Sequence, residues 1–110
     1  MIIVEKNVGT KIDYEVQETS KKKAICFDDD LTINLTKREE DWPVHIDVCY
    51  DADGDLVIGT AAGRAYVAEI DIPARRYEEV PVEGGEEGET ELVPIPLDLD
   101  LVTLSLWAIE

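Results

Sequence analysis

The sequence predicts an all-β fold of one domain, either an antiparallel sandwich or a small barrel. Three observations carry this. Apolar residues recur at every second position in several segments, as on strands with one buried face, while helical periodicity is nearly absent. Turns ending in glycine punctuate the middle of the chain at hairpin spacing. With 110 residues, 45% of them hydrophobic, the chain suits a single compact core and leaves no room for a second domain.

Taken in order, Ile12, Tyr14 and Val16 alternate with polar residues and form the first such segment. Lys21, Lys22 and Lys23 mark a solvated loop that enters a strand at residues 24–27. Leu31, Ile33 and Leu35 alternate with Thr32, Asn34 and Thr36 and form another strand. One short helical turn fits at 37–42: Thr36 and Glu39 have capping-box spacing, and Pro43 forces Trp42 out of the helical region.

Residues 44–72 are predicted as a three-stranded antiparallel meander. Val44, Ile46, Val48 and Tyr50 share one face. A three-residue loop Ala52-Asp53-Gly54, with Gly54 left-handed, pairs Tyr50 with Leu56 and Val48 with Ile58, which keeps the apolar residues on that face. Ala61-Ala62-Gly63 repeats the device, and it would pair Ile58 with Tyr66 and Leu56 with Ala68. Pro94 and Pro96 remove ladder donors, so 94–96 is an edge strand or connector. Leu97, Leu99 and Leu101 alternate, and the shift of phase at Val102 implies a bulge or a strand buried on both sides.

Charge is unevenly placed. The chain carries 26 acidic and 10 basic side chains, a net charge of −16. Residues 1–76 hold all ten bases and sixteen acids and so carry −6; the last 34 residues hold ten acids and no base. Seven of those acids lie in 78–91 with Gly84, Gly85 and Gly88 among them, which predicts a flexible acidic loop over about 82–91. This balance argues against nucleic acid and anionic membranes as partners. Three apolar residues at 2–4 are too few for a signal-peptide core, so the expected setting is cytoplasmic, with Cys26 and Cys49 as free thiols.

Two groups of side chains invite a site. Asp51, Asp53 and Asp55 suggest a divalent cation, but the EF-hand spacing fails, since Gly54 stands at position 4 and Ala62 at position 12 of the loop. A tight turn accounts for them. His45, Asp47 and Cys49 share the second face of the meander with Gly59, Ala61 and Ala65, a run of small residues that something could approach closely. His-x-Asp supplies two metal ligands, and Cys26 would add a third only from an adjacent strand; the expected reading is plain strand alternation with a hydrogen-bonded histidine. One histidine, two serines without motif context and no phosphate-binding glycine loop make an enzyme the disfavoured reading, and no cofactor is implied.

The general make-up, a small acidic β-protein without catalytic equipment, resembles accessory and structural proteins of bacterial viruses and prophages. That resemblance involves no particular residues. The expected function is a non-catalytic module that binds a protein partner or self-associates. The alternatives are a divalent-cation-dependent ligand-binding domain and an acidic mimic that occupies a nucleic-acid-binding surface.

Overall fold

The computed structural model describes residues 1–110. Ten strands follow one another: β1 (Ile2–Glu5), β2 (Tyr14–Glu18), β3 (Lys23–Phe27), β4 (Leu31–Asn34), β5 (Val44–Tyr50), β6 (Leu56–Ile58), β7 (Ala65–Ile72), β8 (Tyr77–Pro81), β9 (Thr90–Pro94) and β10 (Thr103–Leu106). A single α-helical turn, α1 (Leu35–Arg38), and a 3-10 turn at Leu99–Leu101 complete them. No helix is long and apolar enough to cross a membrane.

The strands form a five-stranded sheet in the order β1-β10-β7-β5-β6, a three-stranded antiparallel sheet β2-β3-β4 and a two-stranded ribbon β8-β9. Both larger sheets are open, with β1 and β6 as the edges of the first, so the fold is a sandwich and the barrel alternative falls. Alternation explains the core. Ile46 and Val48 of β5, Ala68, Ile70 and Ile72 of β7, and Leu104 and Leu106 of β10 point inward from one sheet. They meet Ile25 and Phe27 of β3 and Ile33 of β4 from the other. Leu35, Leu97, Leu99 and Val102, outside the strands, belong to the same core.

The first hairpin forms as the sequence predicts: Tyr50 faces Leu56, Val48 faces Ile58, and Gly54 is left-handed with φ of 82°. The second pairing is corrected. β7 does not pair with β6; the chain crosses to the other edge of β5, where Val44 faces Ile72, Ile46 faces Ile70 and Val48 faces Ala68. A three-residue β6 offers β7 little ladder, whereas β5 offers seven residues with the apolar faces in phase. The antiparallel element is therefore β6-β5-β7 with β5 central, not a meander. Register slips by one between Val48 and Cys49, and the extra residue, Val67, is fully buried.

Three smaller expectations are also corrected. The helical turn is Leu35–Arg38, two residues earlier than 37–42, because the Asn34 side chain accepts from the Lys37 N–H at 3.1 Å and caps it. Thr36 instead accepts from the Lys23 N–H at 2.9 Å. Residues 97–101 are not a strand: Asp98 caps the 3-10 turn by accepting from the Asp100 N–H, so Leu97 and Leu99 are buried and Leu101 is exposed. In the edge strand β2, Tyr14 and Val16 face Phe27 and Ile25 yet stay partly open to solvent, and Ile12 supplies the buried contact.

The ribbon β8-β9 stands apart. The Cα radius of gyration is 17.5 Å, against about 13 Å for a compact chain of this size, and the long axis measures 61 Å. No residue of 77–94 is buried; only Val80, Val82 and Val93 are even half-covered. The acidic stretch is thus the tip of an arm, with strands of five residues leading out and back and Gly84 and Gly88 left-handed in the turn.

Candidate functional site

The outer face of the five-stranded sheet carries the side chains that alternate with the core. Strand pairing sets Asp47 opposite Glu69 and His45 opposite Asp71, and Ser105 of β10 lies beyond Glu69. These pairings assemble one imidazole and three carboxylates. His45 Nδ1 lies 2.6 Å from Asp71 Oδ1, and Nε2 lies 2.9 Å from Asp47 Oδ1 and 3.4 Å from Glu69 Oε1. The other oxygen of Glu69 accepts from Trp107 Nε1–H at 2.7 Å, and the Trp107 ring packs 5.8 Å from that of Tyr66.

The electrostatics follow from this arrangement. The hydrogen bond to Asp71 holds the His45 imidazolium above its ordinary pKa of 6.5; desolvation opposes the rise, and the bond to Asp47 and both charges add to it. Burial first, then the Asp47 and Glu69 charges, push the Cys49 thiol up. The Asp47 charge is the main cause of the upward shift of the Tyr66 hydroxyl.

A pH dependence follows for the metal-free protein. Because the folded pKa of His45 is raised, its contribution to stability is complete below about pH 6.5 and is lost as pH rises through the folded value. The ring is half exposed, so the contribution is that of a screened surface pair, roughly 0.5–1 kcal/mol. Urea unfolding in the presence of chelator should show the wild type ahead of His45→Gln by that amount at about pH 5.5, with the gap closed by about pH 9. A gap that widens with rising pH would contradict the assignment.

The remaining candidates are distributed differently from the expected single face. Cys49 is 2% exposed, covered by its own chain: a Cβ on Gly63 would come within 2.9 Å of the Cys49 Cβ. Gly59 follows β6 and its N–H still donates to the Asp47 carbonyl of β5 at 2.7 Å, Ala61 lies in the connection between β6 and β7, and exposed Ala65 merely begins β7. Of the predicted face, only His45 and Asp47 come together in a site. Cys26 does not join them. It sits on the outer side of β3, since its neighbours Ile25 and Phe27 point to the core, and both cysteines are free.

Asp51, Asp53 and Asp55 do bring carboxylate oxygens within 4.8 Å of one another. The Asp51 carboxylate, however, accepts from the N–H groups of Asp53 and Asp55 at 2.9 Å each, which is how an aspartate builds a tight turn. The second group with donors this close is His45, Asp47 and Glu69. Glu69 was not among the residues the sequence singled out. Its alternation with Ile70 showed only that it faces outward; the β5-β7 pairing decides that it faces Asp47.

Arg75 and Tyr77 root the arm. Arg75 Nη2–H donates to the Glu39 carbonyl at 2.8 Å, Nη1–H to Asp41 Oδ1 at 3.1 Å, and its N–H to the Glu40 carbonyl at 2.7 Å. The Tyr77 hydroxyl donates to the same Asp41 oxygen. Comparison with protein-family models, curated proteins and solved structures finds no match to this chain.

Proposed function

We propose that this protein is a non-catalytic binding or assembly module whose docking element is the β8-β9 arm. The observation that carries the reading is that the arm buries none of its residues in its own chain while its root is fixed by Arg75 and Tyr77. A lone two-stranded ribbon is marginal in water, and a partner surface supplies the burial it lacks. Leu92 is 66% exposed on the arm, and seven glutamates with no base give the partner surface its sign, which is basic. Two buried free thiols suit a reducing compartment such as the cytoplasm.

The test replaces residues 78–93 with a short glycine-serine turn. The armless chain should keep its melting temperature within a few degrees. It should lose the capture of a purified basic protein that is expected of the full chain. An armless chain that associates as well as the full one would overturn the proposal. So would a full chain that captures no basic protein.

A further inference from the structure

We propose that His45, Asp47 and Glu69 form a binding site for one divalent transition-metal cation, with zinc as the reference ion. Three features support this. The donors are already gathered: His45 Nε2 lies 2.9 Å from Asp47 Oδ1 and 3.4 Å from Glu69 Oε1, and all three ligand atoms fall within 4.8 Å of one another. Bonds of 2.0–2.1 Å in a tetrahedral site set ligand atoms about 3.4 Å apart, so small rotamer adjustments suffice. One imidazole nitrogen with two carboxylate oxygens selects a borderline cation over magnesium or calcium, which prefer all-oxygen sites.

The second feature is the set of groups behind the ligands. Asp71 accepts from His45 Nδ1 at 2.6 Å, which fixes the tautomer so that Nε2 is the nitrogen that faces the cation. Trp107 Nε1–H donates to Glu69 Oε2 at 2.7 Å, so Oε1 is the oxygen left to coordinate. Asp71 and Trp107 are positioning residues. The site rests on β5 and β7, central strands of the sheet, and on the chain just beyond β10, so its geometry is held by rigid elements.

The third is charge. Like charges directly opposite on neighbouring strands destabilise, yet Asp47 faces Glu69 and Asp71 lies beside them. An imidazolium offsets one of three negative charges. A divalent cation offsets two, and on binding it displaces the Nε2 proton to solvent. Side-chain exposure of 47% for His45, 23% for Asp47 and 19% for Glu69 leaves the remaining coordination positions open to water.

His45 is the one histidine of the chain, so a histidine-selective 15N–1H spectrum of the untagged full-length protein reads this site alone. Zinc chloride should shift the Nε2 resonance and saturate at one equivalent, with one site in calorimetry. H45Q, D47N and E69Q should each weaken binding about tenfold or more, and W107F roughly 10–100-fold through the orientation of Glu69. D53N and a double serine variant of Cys26 and Cys49 should bind as the wild type does. The amide spectrum of each variant verifies its fold. The proposal is overturned if millimolar zinc leaves Nε2 unmoved, if H45Q binds zinc as tightly as the wild type, if the serine variant loses binding, or if magnesium moves the resonance as zinc does.

Discussion

Phe27→Ala should remove about 3–5 kcal/mol of stability, a large share of the roughly 5–15 kcal/mol that a domain of this size holds. Phe27 is the one phenylalanine, fully buried on the inner side of β3, where the three-stranded sheet meets the five-stranded one. Truncation opens a cavity between two sheets that cannot close up, because each is held by its own ladder. At about 4 °C per kcal/mol the melting temperature should fall by roughly 12–20 °C. Leu92→Ala, on the exposed arm, is the control and should stay within about 0.5 kcal/mol. Urea unfolding followed by tryptophan fluorescence measures both. Equal midpoints for the two variants would mean that the sheets do not share one core.

Arg75→Ala should free the arm while leaving the body intact. The guanidinium ties the start of the arm to the Glu39 carbonyl and to the Asp41 carboxylate that Tyr77 also uses. Glu39 is 9% exposed, and its carboxylate lies 3.6 Å from Arg75 Nε, so the same guanidinium also pairs with Glu39. Hydrogen exchange of amides in β8 and β9 should accelerate by about tenfold or more, with β5 and β7 unchanged. Arg75→Lys should restore little, since a point charge cannot reach both oxygens as a planar fork does. Arm amides that exchange at the wild-type rate would show that Arg75 does not hold the root.

The pattern of what the sequence revealed has physical causes. The 50–56 turn was legible because loop length and the apolar faces of β5 and β6 must agree, and only one register satisfies both. The partner of β7 was not. Either β6 or the free edge of β5 accepts the same alternation, and periodicity cannot choose between two edges of one strand. Val67 and Ala68, adjacent and both buried, carry the trace of the bulge, but adjacent apolar residues have several causes. The helical turn moved because Asn34 and Thr36 are both capable caps. Strands β8 and β9 were hidden by glutamates and Pro81, poor strand formers. The His45 site was half legible: His45 and Asp47 share a strand face, whereas Glu69, Asp71 and Trp107 join it only through pairing across β7 and β10.

The parallel pairing of β1 with β10 joins residues about a hundred positions apart, Ile2 with Thr103 and Val4 with Ser105. During synthesis β1 emerges first and waits for the last strand before it can enter its sheet, while β7 keeps an open edge for as long. The main sheet is therefore completed only after residue 106 has left the ribosome. Such distant closure is slow, and an unpaired apolar edge in the meantime invites association with other chains. The nascent chain, at −6 once residue 76 is made and at −16 when finished, is negative while it waits, and that charge opposes the encounter between copies.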